Sequence, residues 1–222
     1  MKEISLFDII GPNMIGPSSS HTAGALRIAA IAAQICGGVP DKVTFILYGS
    51  FAETYQGHGT DKALLAGILG FSTEDRRIKD ARRYADEAGL SYEFVRGESD
   101  PGIHPNTIAI VIKDKKGVVD KITGSSIGGG NVSIDRINGM DVHFTGELNT
   151  ILIRQEDSPG IVAHIGKCLA ECGINIAFMR LYRESKGETA YTIVETDEKI
   201  DESVLTMIGS HPAISSVRTV TM

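Results

Sequence analysis

Between residues 23 and 36 the chain is an almost unbroken series of small and branched apolar residues, interrupted only by Gly24, Arg27 and Gln34. Ser18-Ser19-Ser20-His21-Thr22 precedes this run and Gly37-Gly38-Val39-Pro40 follows it. Hydroxyl residues before and glycines after are start and stop signals for a helix. Its apolar positions lie nearly all round, which predicts deep burial. Residues 42–50 (KVTFILYGS) read as a buried strand, and Thr60-Asp61 opens a second apolar helix through Leu69. A third, more charged helix is predicted over 72–88, with Gly89 as its stop. Extended runs follow at 91–95, 107–113 and 118–127, the last two joined by the turn Lys115-Lys116-Gly117. After Gly128-Gly129-Gly130, a further strand at 132–137 reaches the turn pair Asn138-Gly139.

Beyond residues 145–148 the pattern restarts on a shorter plan. A strand at 150–154 leads into Asp157-Ser158-Pro159-Gly160, which starts a helix ending at Cys172-Gly173. Strands at 174–183 and 190–196, a helix at 201–210 and a strand at 214–221 complete it. This βαββαβ order is the ferredoxin-like plan. The expected fold class is therefore α+β: a mixed α/β substrate-binding-type domain over 1–146, then a ferredoxin-like domain over 147–222.

Composition narrows the possible functions. The 25 glycines in 222 residues exceed the usual ~7% without any collagen-like period, so they mark turns and close backbone approaches. Three cysteines and no charged-then-apolar leader suggest a reducing cytoplasm rather than a secreted disulfide scaffold. No apolar run approaches the ~18 residues of a membrane span. The net charge of −6 is mild, and the densest basic cluster, Arg76, Arg77, Lys79, Arg82 and Arg83, is interleaved with Glu74, Asp75, Asp80, Asp86 and Glu87. That spacing describes a solvated helix face with local ion pairs, not a nucleic-acid surface.

Chemistry concentrates at junctions. Ser18, Ser19, Ser20, His21 and Thr22 enter a buried helix together, and backbone N–H groups with hydroxyls around them suit a carboxylate or phosphate. Gly57-His58-Gly59-Thr60-Asp61 repeats the arrangement at a second helix start, and His104-Pro105-Asn106 places another histidine on a loop entering a strand. Functional residues favour such scaffold-held junctions, although any one of these serines serves equally as a plain helix cap. His143, His164 and His211 lack polar company and read as structural. Cys36, Cys168 and Cys172 contain no Cys-x-x-Cys pair and read as small buried hydrophobes. A hydrolase using Ser20 and His21 is disfavoured, because neighbours on a helix diverge by about 100° and no Gly-x-Ser-x-Gly elbow occurs.

Two resemblances organise these features. The strand, the Asp157-Ser158-Pro159-Gly160 turn and the helix ending in Gly173-Ile174-Asn175-Ile176 resemble the ACT domain of amino-acid metabolism. That likeness implies effector or interface roles for Asp157, Gly160 and Asn175 and self-pairing of the chain. Serine-binding relatives tend to carry His and Asn around this turn, where this chain has Gln155 and Asp157. Ile15-Gly16-Pro17-Ser18-Ser19-Ser20-His21-Thr22, Gly57-His58-Gly59-Thr60-Asp61-Lys62, His104-Pro105-Asn106 and Ser126-Ile127-Gly128-Gly129-Gly130, in that order, resemble the β chain of bacterial iron–sulfur-dependent L-serine dehydratase. The resemblance implies a pyridoxal-phosphate-independent L-serine ammonia-lyase, in which a separate α subunit ligates a [4Fe–4S] cluster. It further implies His21 and His58 in proton transfer or orientation, and Ser18, Ser19, Ser20, Thr22, His104 and Asn106 around L-serine. No metal ligand is expected in this chain. A non-catalytic, regulatory amino-acid-binding protein is the alternative in a different class.

Overall fold

The computed structural model describes residues 13–98 and 102–221, and the chain divides into two compact units, Met1–Gly139 and Met140–Met222. The boundary expected near 146 differs from this division by the short strand described below.

In the first unit a π-helical turn, Ser19–Gly24, runs directly into α1 (Ala25–Cys36). Gly37 ends α1 in the left-handed region, its N–H returning to Ala33 O. β1 (Lys42–Leu47) follows, then α2 (Gly49–Thr54) and α3 (Thr60–Ile68). The segment expected as one helix over 72–88 is instead a 3-10 turn, Arg76–Asp80, and a short α4 (Ala81–Glu87). The cause is local. The Asp75 carboxylate caps Arg77 N–H, delaying the start, and Asp80 leaves helical geometry at φ −113° between the two pieces. β2 (Ser91–Arg96), β3 (Thr107–Lys113), β4 (Val119–Gly128) and β5 (Asn131–Ile137) complete the unit.

The five strands lie in the order β2-β1-β3-β4-β5, with β1 parallel to β2 and the later neighbours antiparallel. Val43, Phe45 and Leu47 face Ile112, Ile110 and Ile108 across β1 and β3, and all six are inaccessible to solvent. Such side chains contribute roughly 1.5–3 kcal/mol each when fully buried. They form the sheet face beneath the helices: α1 Ile28 lies over Gly124 of β4, where an added Cβ would stand 3.1 Å from its Cγ2. Gly67 lets α3 cross α1 closely, since a Cβ there would meet Leu26 O and come within 2.8 Å of Ala29 Cβ. Arg82 donates to Asp61 Oδ2 at 2.7 Å, tying α4 to the buried first turn of α3. No helix among the described residues is long and apolar enough to cross a membrane.

The second unit begins with β6 (Met140–Phe144), a strand not among those expected from the sequence. β7 (Asn149–Glu156), α5 (Ile161–Glu171), β8 (Phe178–Arg183), β9 (Thr189–Thr196), α6 (Glu202–Gly209) and β10 (Ile214–Val220) follow. The strand order β10-β7-β9-β8 is wholly antiparallel, and the expected βαββαβ plan is present. Its core joins Ile151 and Ile153 of β7 to Ile161, Ile165 and Leu169 of α5 and Val204 and Ile208 of α6. His164 is less solitary than expected: its Nε2 lies 3.0 Å from Ile208 O and its ring 5.1 Å from that of His211. None of the three cysteines is in a disulfide; Cys168 is buried as predicted, whereas Cys172 is exposed and Cys36 half-buried.

Candidate functional site

Ser18 is the cap from which the site is built. Its extended backbone (φ −144°) lets Oγ accept from His21 N–H at 3.3 Å, while Ser18 O accepts from Thr22 N–H. A π-helical start is uncommon and recurs at functional positions, because its wider turn re-aims side chains. Ser19 and Ser20 are half-buried in this turn, and Thr22 is buried. The turn also aims the His21 ring at α2: Nε2 lies 3.0 Å from Ser50 Oγ and Nδ1 3.4 Å from Ser18 Oγ. Phe51 presents an edge-on contact at 5.2 Å, and the His58 ring lies tilted at 4.9 Å. Burial lowers the His21 pKa below its ordinary 6.5, and repulsion from His58 lowers it further. His21 is thus favoured as the neutral imidazole, able to accept a proton near neutrality.

Gly59, left-handed at φ +71°, heads α3 and leaves His58 on the preceding turn. The His104–Asn106 loop reaches the same region through glycine. Gly49 (φ +48°) has no room for a Cβ, which would stand 2.6 Å from Pro105 O and 2.8 Å from Pro105 Cα. The loop also accepts from Ser126 N–H through Asn106 O at 3.0 Å. His104 is exposed and turned back on its own loop, its Nδ1 accepting from Asn106 N–H at 3.1 Å. Ser126 is fully buried against Gly24, where an added Cβ would come within 2.7 Å of Ser126 Cβ. Arg27 Nη1 donates to Gly130 O at 2.7 Å, holding the Gly128–Gly130 turn, all left-handed, against α1.

Four segments distant in sequence therefore converge, and they share an unusual feature. Thr22 Oγ1, His58 Nδ1, Asn106 Oδ1 and Ser126 Oγ are buried polar atoms without a hydrogen-bond partner. Each unmade bond of this kind costs about 1–3 kcal/mol, so native proteins keep few. Unpartnered polar atoms on all four segments that meet near the paired imidazoles are groups that a small polar ligand there would complete.

Two residues of this region were not singled out from sequence. Ser50 sits inside a run read as strand; Gly49 was the signal that the strand ends early. Ser126 belonged to a recognised motif but carried no role. In the second unit Asp157 accepts from Arg183 Nη1 and from Gly187 N–H, each at 3.2 Å, which ties it to the β8–β9 hairpin. Gly160 (φ +95°) heads α5, and Asn175 is exposed just beyond that helix. Among the described residues no three His, Cys, Asp or Glu side chains are placed to hold a metal ion. The cysteines are dispersed between α1 and α5, so this donor set does not fit an iron–sulfur cluster.

Comparison with known proteins agrees with both units. The family model described as serine dehydratase beta chain matches residues 5–93, and the ACT domain model matches residues 149–208. The chain is 44% identical over 217 residues to the probable L-serine dehydratase, beta chain, of Bacillus subtilis (strain 168), covering 98% of each. It is 40% identical over 208 residues to the L-serine dehydratase, beta chain, of Peptoniphilus asaccharolyticus, covering 94% of each. A more distant likeness, 26% identity over 159 residues, covers 71% of this chain and 30% of the D-3-phosphoglycerate dehydrogenase of Bacillus subtilis. Near full-length identity at this level, with the seryl–histidyl turn and the ACT fold in place, shows that the chain belongs to the serine dehydratase beta-chain family.

Proposed function

We propose that the chain is the β subunit of an L-serine ammonia-lyase that converts L-serine to pyruvate and ammonia with a separate α subunit, in the cytoplasm. Buried, unpartnered polar atoms on the segments that meet near the His21–His58 pair carry the reading, and kinship with two L-serine dehydratase beta chains supplies the substrate. A [4Fe–4S] cluster of this family would reside on the α subunit. Three cysteines without a disulfide suit a reducing compartment. The ACT unit, with Asp157, Gly160 and Asn175 at the effector or interface turn, would pair two copies of the chain. We place the functional boundary between the modules at 146/147, two residues before the ACT match begins.

The overall chemistry is an elimination. L-Serine loses its Cα proton and its hydroxyl to give aminoacrylate and water; aminoacrylate tautomerises to the imine, which water hydrolyses to pyruvate and ammonia. Hydroxyls of Ser18, Ser19, Ser20 and Thr22 at the π-helical start hold the substrate carboxylate, assisted by backbone N–H groups. His21, kept neutral by burial, accepts the proton, and His58 orients substrate or carries the proton onward. Asn106 offers its unpartnered amide oxygen to the substrate ammonium, with His104 at the exposed mouth. The direct test is anaerobic assay of pyruvate from L-serine using the chain assembled with its partner subunit. Turnover by the pair and none by the isolated chain is expected. A fully loaded pair that leaves L-serine unchanged overturns the reading.

Ser50 belongs in this scheme as the residue that fixes the His21 ring at Nε2. Ser50→Ala in the assembled enzyme is expected to lower kcat/KM about fivefold, the equivalent of one net hydrogen bond of ~1 kcal/mol. Ser50→Thr, which keeps a hydroxyl, should recover most of the loss. Equal activity for Ala and Thr variants would remove Ser50 from the site.

A further inference from the structure

A chain of polar side chains crosses three strands and ends on the His104–Asn106 loop. Asp135 of β5 accepts from Ser133 Oγ at 2.6 Å through Oδ1 and from Ser125 Oγ at 2.7 Å through Oδ2. Ser125 Oγ of β4 lies 2.8 Å from Thr107 Oγ1 of β3, and Thr107 Oγ1 donates to His104 O at 2.7 Å. Thr107, Ser125 and Ser133 are all buried. Their spacing follows from the register: Thr107 pairs with Ser125 and Ser125 with Ser133, so all three side chains share one face. The register shift after Thr123/Gly124 adds one residue to β5, which brings Asp135 within reach of that row. The hydroxyl hydrogens of Ser125 and Thr107 serve three contacts whose two ends, the Asp135 carboxylate and His104 O, only accept, so two of the three are hydrogen bonds at any moment and the carboxylate's charge decides how they are shared.

What this network holds is one side of the site. Thr107 O accepts from Tyr48 N–H, and Asn106 O accepts from Ser126 N–H, so the Asn106–Thr107 end of the loop is clamped from both sides. Asn106 projects an unpartnered buried amide oxygen from within that clamp. We propose that Asp135, acting through Ser125 and Thr107, is a positioning residue that fixes the His104–Asn106 loop and thereby sets how Asn106 meets the substrate. This role rests on the reading that Asn106 contacts L-serine. Asp135 lies two side chains away from that contact and takes no part in bond making.

The test is a double-mutant cycle in the enzyme assembled with its partner subunit, assayed for pyruvate over a range of L-serine concentrations. Asn106→Ala alone tests the underlying reading: a raised KM supports the contact, and an unchanged KM removes it. Given that contact, Asp135→Ala is expected to raise KM about fivefold with kcat changed less than twofold, the signature of misplaced ground-state binding. In the Asn106→Ala background the same substitution should then cost nothing further in KM. Thr107→Val, which keeps volume and β-branching while removing the hydroxyl, is expected to reproduce the KM effect if Asp135→Ala fails to fold. An unchanged KM in the folded variants, or an equal KM penalty with and without Asn106, overturns the proposal even if Asn106 itself binds substrate.

Discussion

His21→Ala is expected to lower kcat for pyruvate formation by about 10²–10⁴-fold, the usual worth of a positioned general base. The expectation follows from where the ring is held. Ser18 and Ser50 oxygens bracket its two nitrogens, Phe51 packs against it, and His58 stands beside it. Burial and the neighbouring imidazole both act against the charged form, so the folded value lies below 6.5. Activity that requires neutral His21 should therefore persist into mildly acid solution. The acid limb of kcat/KM should fall below 6.5, and His21→Ala should abolish that limb along with most of the rate. Stability has a matching sign. Because the fold favours the neutral ring, its contribution is intact above 6.5 and is lost as pH falls from there through the lowered folded value. Thermal unfolding of the variant should accordingly lose this pH dependence, and a cooperative transition retained above pH 7 separates lost chemistry from lost fold. An active His21→Ala enzyme with an unaltered pH profile would assign the proton to another group, with His58 the first to examine.

How much of this was legible in the sequence depends on range. The buried helix over 25–36, the strands over 107–113 and 119–128 and the whole βαββαβ tail could be read because period, caps and glycine stops agree with one another. The segment over 72–88 misled because helix-like charge spacing does not reveal that Asp75 spends its side chain on a cap. The run over 42–50 misled because Gly49 leaves the strand for a tertiary reason, the backbone of Pro105, which lies 56 residues away in the chain. The site shows the same division. Ser18, His21, His58 and Asn106 stood out as polar residues at element junctions, and the structure brings their segments together. Ser50, Ser126 and Asp135 did not stand out, because a serine in a strand run and an aspartate in a hairpin look ordinary until register and a close helix approach place them.

Gly24→Ala is the substitution for which local and tertiary rules predict opposite outcomes. Gly24 has ordinary right-handed helical backbone, φ −62° and ψ −45°, and so gains nothing from glycine's freedom. Helix propensity alone would make alanine more stable there by about 1 kcal/mol. The tertiary contact reverses the sign. An added Cβ would overlap Ser126 Oγ and stand 2.7 Å from Ser126 Cβ, which a change of Ser126 rotamer does not relieve, and Ser126 is fully buried on β4. Overpacking of this kind costs about 1–3 kcal/mol, which in a chain of this size lowers Tm by roughly 3–10 °C. Relief comes by lifting the Ser19–Gly24 turn off the sheet, and that turn carries His21. A displacement near 1 Å at a catalytic group can cost about 10²-fold in rate, so activity should fall more steeply than stability. Pairing the change with Ser126→Gly removes the obstructing side chain. The double variant should regain most of the Tm lost by Gly24→Ala, and its remaining activity deficit, compared with Ser126→Gly alone, measures how far His21 is still displaced. A Gly24→Ala protein that melts higher than the parent and turns over normally would mean that the π-helical turn does not rest on Ser126, and the convergence of the four polar segments would lose its structural basis.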